Sequence, residues 1–299
     1  FSGPVRDWLT KGQIRMPRFY EFFAGGGMAR AGLGPRWTCL FANDFDHKKS
    51  RTYRLNWGED APIKTCDIRK LRSADLPGLA DLVWASFPCQ DLSLAGGGAG
   101  LKGERSGTFW PFWKIMRSLR KERRAPRIIV LENVCGTLTS HGGKDFSTIC
   151  EALSEAGYRF GAVVMDASLF VPQSRPRLFI IAVDRTIPIL AALNARCRTM
   201  LWHNRALVNA FTRLPSSLQE SWIWWAIPEP GRRKTMFADL IEENPHSIRW
   251  HTRDETERLL ALMSGVNLAK VEKAKKAGRR MVGTIYKRTR RDENRFKVQ

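Results

Sequence analysis

Five short apolar runs, each ending in residues of a different chemistry, constrain this chain more than any other feature. RFYEFFAG (18–25) runs into a glycine turn, WTCLFAND (37–44) ends in an acid, and DLVWASFP (81–88) stops before a cysteine. RIIVLENV (127–134) ends on Glu-Asn-Val, and RLFIIAVD (177–184) begins at an arginine pair. Apolar runs bounded by Gly, Pro and polar residues read as buried strands. Helical spacing fills the gaps at MARAGLG (28–34), TFWPFWKIMRSLRKE (108–122) and DFSTICEALSEAG (145–157). This alternation predicts an α/β fold with a βα-layered parallel sheet. It fades after about residue 186, where Trp- and Pro-rich stretches such as SWIWWAIPEPG (221–231) take over. The expected division is an N-terminal extension (1–17), a sheet domain (18–185) and a smaller irregular region (186–299).

Charge limits the partners. Fifty Lys and Arg against 29 Asp and Glu give a net charge of +21, which points to a polyanion, nucleic acid before an acidic membrane surface. Residues 186–299 hold 22 basic and 11 acidic residues, and 270–299 hold 12 and 3. No run approaches the ~18 apolar residues of a membrane helix, so no membrane partner is expected. The six cysteines (Cys39, Cys66, Cys89, Cys135, Cys150, Cys197) show no zinc spacing and no CxxC, so neither a metal nor a disulfide framework is expected, and a reducing compartment suits them.

Four segments carry chemistry. In EFFAGGGMARAGLG (21–34) a glycine turn between strand and helix lets backbone approach a ligand. A dinucleotide fingerprint would need Gly at position 30, which is Arg, and no Gly-Lys-Ser/Thr follows for a P-loop. With Asn43-Asp44 ending the next strand, the pattern fits a nucleoside-bearing cofactor other than NAD, with a packing turn beside a surface acid as the alternative. Phe87-Pro88-Cys89-Gln90 ends another strand and meets a Gly-rich stretch (95–108) suited to a closing loop. A zinc deaminase is excluded, because PCxxC and HxE are both missing. Glu132-Asn133-Val134 puts a carboxylic acid at the same kind of strand end, making a nucleophile–acid pair with Cys89 plausible. PQSRPRLF (172–179) sets Arg175 and Arg177 on one side of an extended chain, where they can hold a phosphate or a carbonyl oxygen.

In this order the segments resemble the cytosine-C5 DNA methyltransferases, over residues 19–184. The resemblance implies a Rossmann-like S-adenosylmethionine methyltransferase sheet with a smaller, irregular target-recognition region. It also implies S-adenosylmethionine as cofactor, S-adenosylhomocysteine as product, and duplex DNA as partner. By that resemblance Phe23, Ala24, Gly25 and Gly27 turn around the cofactor, Asp44 holds its ribose and Phe45 stacks on adenine. Asp67 and Ile68 contact the adenine edge, and Pro88 borders the cofactor. Cys89 is the implied nucleophile, Glu132 the base-reading acid, and Arg175 and Arg177 the partners of the cytosine oxygen and a nearby phosphate. Gln90, Ser93, Asn133, Gln173, Arg232, Arg233, Lys234, Arg288, Arg290 and Arg291 are the expected DNA contacts. The sequence departs from many relatives in having Glu21 for Asp, Asp44 for Glu, and Phe45 for an aliphatic residue or Trp.

The expected reaction is methyl transfer to C5 of a flipped-out cytosine through a covalent Cys89 adduct. A transfer-RNA cytosine methyltransferase and an inactive DNA-binding homologue are the alternatives. The family's closing Gly-Asn-x-Val motif is missing from 186–299. The expectation is therefore a chain that is truncated or incomplete at the C-terminus, or a second polypeptide supplying that motif. A restriction–modification setting goes with the family. The expected location is cytoplasmic or nucleoid-associated in a bacterium and nuclear in a eukaryote.

Overall fold

The computed structural model describes residues 15–88, 106–195, 198–278 and 281–284. The chain forms two compact units, 1–166 with 175–229 and 167–174 with 230–299. The first is built on a seven-stranded sheet. Its strands are β1 (Arg18–Phe22), β2 (Thr38–Asp44), β3 (Ile63–Thr65), β4 (Leu82–Ala85), β5 (Ile128–Asn133), β6 (Tyr158–Asp166) and β7 (Pro176–Asp184), in the order β3-β2-β1-β4-β5-β7-β6. Its helices are α1 (Met28–Leu33), α2 (His47–Trp57), α3 (Phe109–Lys121), α4 (Lys144–Glu155), α5 (Arg205–Thr212) and α6 (Ser216–Gln219).

Side chains alternate across the sheet. In β1, Phe19 packs with Leu82 and Val130 on one face, while Tyr20 and Phe22 enter the larger core on the other. Phe109, Phe112, Trp113, Met116 and Leu119 repeat at helical spacing, and all lie buried along α3. Phe112 meets Phe22 edge to face at 5.1 Å. Each such side chain contributes roughly 1.5–3 kcal/mol when withdrawn from water. No helix among the described residues is long and apolar enough to cross a membrane.

The structure corrects the expectation of a parallel sheet. Strands β3, β2, β1, β4 and β5 are parallel, but β7 runs antiparallel to both β5 and β6. Only residues 167–175 join β6 to β7, and a parallel crossover needs about a dozen residues or more. The reversal matters for function, because the start of β7 now lies beside the end of β5.

The expected domain boundary at 185/186 also differs from the observed units. The segment 221–223 lies along the outer edge of β6, where Phe160 N donates to Ser221 O (3.1 Å) and Ile223 N to Phe160 O (2.7 Å). Trp225 Nε1 donates to Ile181 O (3.3 Å). This strip covers a sheet edge that would otherwise present unpaired amides. The close approach requires Gly161, since a Cβ there would fall 1.8 Å from Ile223 O. The expected N-terminal extension likewise reaches the sheet domain, through the Arg15–Asp81 ion pair (2.9 Å) and the Thr38 N to Pro17 O bond (2.9 Å).

The second unit contains α7 (Arg253–Ala261) and α8 (Gly265–Lys275), neither with a fully buried residue. A capping box starts α7: Thr252 Oγ1 accepts from Glu255 N, and Glu255 accepts from Thr252 N. Arg232 and Lys234 are exposed, as is Gln173. Arg233, expected on DNA, instead donates to the carbonyls of Ser168 and Thr235, so its guanidinium is occupied within the unit. Arg288, Arg290 and Arg291 lie outside the described residues.

Candidate active site

The parallel strands β1, β2, β4 and β5 end at one edge of the sheet. The chain departs from β1 toward β2 and β3, then returns to the other side of β1 as β4. Such a switch point leaves a crevice beyond the strand ends. A cleft of about 520 Å³ opens there, lined among others by Phe23, Asn43, Phe45, Asp46, Lys49, Asp67, Ile68 and Pro88. Five of the nine expected cofactor residues therefore meet on one cleft. Phe45, 65% exposed, offers it an open ring face.

Of the other four, Ala24, Gly25 and Gly27 form the turn behind β1, and Asp44 ends β2 beside it. Gly25 and Gly27 have φ +56° and +83°, and Phe23 adopts +57° without the excuse of being glycine. Strain of that kind gathers at ligand sites. Asp44 is almost fully buried: Oδ2 accepts from Gly25 N (2.9 Å) and Oδ1 from Asp46 N (3.0 Å). Its carboxylate thus fastens the glycine turn to the end of β2. Ala24 N donates to Asn43 O (2.9 Å) alongside. Beneath Gly27 lie Trp57 and Tyr53, and a Cβ on Gly27 would fall 2.1 Å from Trp57 Nε1. Asp67 and Asp46 each cap a helical turn, and Asp67 also pairs with Arg69 (3.3 Å).

α2 was not legible as a helix in the sequence, yet it supplies this support. Its polar sequence buries only Ser50 and Tyr53, so no apolar stripe announces it. The available signal was Asp46, whose carboxylate caps Lys48 N (2.8 Å) and Lys49 N (3.2 Å). Tyr53 donates to Glu21 Oε2 (3.4 Å), and Ala29 N donates to Glu21 Oε1 (3.2 Å). Arg30 lies over the Trp57 ring at 4.5 Å.

Burial pushes the Glu21 carboxyl up to about 7, against the opposing pull of backbone amides, Tyr53 and Arg30. A carboxyl whose folded value exceeds its unfolded one stabilises the fold when protonated. That contribution is full below pH 4.5 and is lost as pH rises through 7. Wild type is therefore expected to lose roughly 2.5 kcal/mol relative to Glu21→Gln between pH 5 and 8.5. Denaturant unfolding of both proteins across that range measures it, and parallel curves would contradict it.

Two of the expected catalytic residues meet further along the same edge. Glu132, near the end of β5, and Arg177, near the start of β7, form an ion pair of 3.1 Å, both about one-fifth exposed. The reversed β7 makes this meeting possible, because Glu132 lies opposite Phe179 and so two residues from Arg177. Arg177 also donates to Pro176 O (2.8 Å). Arg175 is exposed, with its backbone N bonded to Asp166 Oδ1 (2.8 Å). Cys89, Gln90 and Ser93 lie outside the described residues.

Asn133 corrects another expectation. It was assigned to DNA contact, but it is 5% exposed and turned inward. Its Nδ2 donates to Phe87 O (3.3 Å) and its Oδ1 accepts from Val134 N (2.8 Å). With its amide so engaged, it ties the end of β5 to the residue preceding Pro88.

Comparison with known proteins agrees with this geometry. Residues 17–297 match the family model for C-5 cytosine-specific DNA methylase. Type II methyltransferase M.BsuFI of Bacillus subtilis is 36% identical over 165 residues, 54% of this chain and 38% of that protein. M.HpaII of Haemophilus parainfluenzae is 29% identical over 239 residues, 78% of this chain and 55% of the relative. The matches thus span between two-fifths and just over half of those relatives. Among solved structures, S. pombe Dnmt2 methyltransferase aligns with a TM-score of 0.47 at 20% identity, covering 59% of this chain and 52% of that one. By its sequence, the chain belongs to the C-5 cytosine-specific DNA methylase family.

Proposed function

We propose that this chain carries the cofactor-binding and catalytic core of a DNA (cytosine-5)-methyltransferase using S-adenosylmethionine. The observation that carries the reading is the Glu132–Arg177 pair, held at the sheet edge that also bears Pro88 and the glycine turn. The residues present fit that cofactor. The cleft is of small-ligand size, the turn exposes backbone, Phe45 presents an aromatic face, and Asp44 stands behind the turn. When bound, the cofactor supplies an electrophilic methyl group.

The chain's own residues account for the remaining chemistry. Cytosine C5 is a poor nucleophile until a thiolate adds at C6, and Cys89 is the residue for that addition. Glu132 shares a proton with cytosine N3 and accepts from the exocyclic amine, so the ring does not accumulate negative charge. Arg177 orients that carboxyl through the observed ion pair. Asn133 positions the strand exit before Pro88 and Cys89 through Phe87 O. Loss of the C5 proton and departure of the Cys89 sulfur complete the turnover. The cytosine must leave the stack to reach these groups, at about a few kcal/mol, and basic contacts to phosphate offset that cost. The net charge of +21 supports duplex DNA as partner. Bacterial relatives fit a cytoplasmic or nucleoid setting.

Asp44→Ala tests the cofactor half. Removing the carboxylate that fastens Gly25 is expected to weaken S-adenosylmethionine by roughly 1.5–3 kcal/mol. Duplex DNA affinity is expected to stay within a few-fold. Calorimetry showing unchanged cofactor affinity would remove Asp44 from the site.

A further inference from the structure

A second cleft opens in the sheet domain, beside the cofactor cleft. It measures about 640 Å³ and lies between residues 68–73 and α3. Arg69 and Arg72 line one side, while Trp110, Lys114 and Ser118 line the other, with the buried Ile115 among them. Trp110, Lys114 and Ser118 follow one another at four-residue spacing, so they form a row along a single face of α3. No carboxylate is among the described lining residues. Three carboxylates just outside it are bonded to lining residues: Asp67 pairs with Arg69 (3.3 Å), Asp75 accepts from Arg72 N (2.8 Å) and from Lys64 Nζ (2.6 Å), and Glu122 accepts from the Ser73 hydroxyl.

Trp110 is the informative residue. It is 42% exposed, whereas Trp113, on the neighbouring face of the same helix, is 4% exposed. An indole left in water forgoes apolar burial, and this one stands among three cations. Aromatic faces interleaved with Lys and Arg are the chemistry that stacks an unpaired base while holding phosphates. Paired bases inside a duplex offer no free face for such stacking.

We propose that this groove binds an unpaired nucleotide, with its base against Trp110 and its phosphate on Arg72 and Lys114. Ile68 and Arg69 line both this groove and the cofactor cleft, so the two sites are neighbours. The ligand chemistry is shared by an unpaired stretch of a nucleic-acid strand and a free mononucleotide. The proposal does not depend on the chain's being an active methyltransferase.

The test uses fluorescence anisotropy of labelled short oligo-dT on the whole chain, with a blunt duplex of equal length as control. Trp110→Ala is expected to weaken oligo-dT about tenfold, while Trp110→Phe, which keeps a ring, stays within about threefold. The pair Arg72→Ala and Lys114→Ala together is expected to flatten log affinity against log salt by about 0.7, the share of the one phosphate they hold. Duplex affinity is expected to change less than about twofold in every variant, and thermal melts check folding. Competition by excess free thymidine monophosphate assigns the groove to mononucleotides as well, and its failure to compete assigns it to strands. Oligo-dT affinity and salt slope unchanged in both alanine variants would overturn the proposal. So would an equal loss for the blunt duplex.

Discussion

Glu132→Gln is expected to lower kcat for methyl transfer by about 10²–10⁴-fold while leaving duplex DNA and cofactor affinities within a few-fold. The amide keeps the shape and can still face the exocyclic amine, but it cannot hold the proton that neutralises charge at N3. It also breaks the 3.1 Å ion pair with Arg177, removing the partner that orients the guanidinium. Arg177→Lys discriminates between proton and positioning. A lysine keeps the charge without the planar fork, so a loss smaller than that of Glu132→Gln is expected. Single-turnover kinetics at saturating DNA separate these effects from binding. A Glu132→Gln variant with wild-type kcat would take Glu132 out of the chemistry.

Cys89→Ser is expected to abolish turnover, because a serine hydroxyl supplies no useful alkoxide near neutral pH, whereas a free thiol ionises near pH ~8.5 and lower beside cations. Cofactor affinity should stay within a few-fold. DNA carrying 5-fluorocytosine at the target should trap the wild-type protein as a covalent adduct, since fluorine at C5 blocks the final elimination. Peptide mass mapping would place that adduct on Cys89. Normal turnover by Cys89→Ser, or an active protein that forms no adduct, would contradict the assignment.

The cofactor half of the site was more legible in the sequence than its supports. Strand-end residues stand out because each apolar run stops abruptly at a polar or glycine position, as at Phe22–Gly25 and Asn43-Asp44. The structure brings Phe23, Phe45, Asp67, Ile68 and Pro88 onto one cleft, although 22 positions separate Phe45 from Asp67 in sequence when counted from 45 to 67. Tyr53 and Trp57 were missed because they occur in a charged helix whose only strong start signal is Asp46. Asn133, expected on DNA, is turned inward in the structure. Its inward turn depends on β4 and β5 being neighbours, which is a property of strand order.

The reversal of β7 was illegible for a related reason. Apolar periodicity is the same for parallel and antiparallel strands, and only the shortness of the 167–175 connection distinguishes them. That reversal is what brings Arg177 to Glu132, since a parallel β7 would carry it to the opposite edge. Residues 186–299 are expected, from their charge and from the family resemblance, to contact DNA and begin target recognition. Two Trp residues of this stretch pack within the sheet domain: Trp202 Nε1 donates to Ile227 O (2.8 Å), and Trp222 packs edge to face on Phe160.

The most direct measurement is the identity of the methylated nucleoside after incubating the protein with labelled S-adenosylmethionine and either duplex DNA or transfer RNA. Nuclease digestion followed by mass spectrometry reads the product. The account predicts 5-methyl-2′-deoxycytidine from duplex DNA, dependent on Cys89 and Glu132, and no label in transfer RNA. Label confined to transfer RNA, or methylation at a cytosine position other than C5, would contradict it.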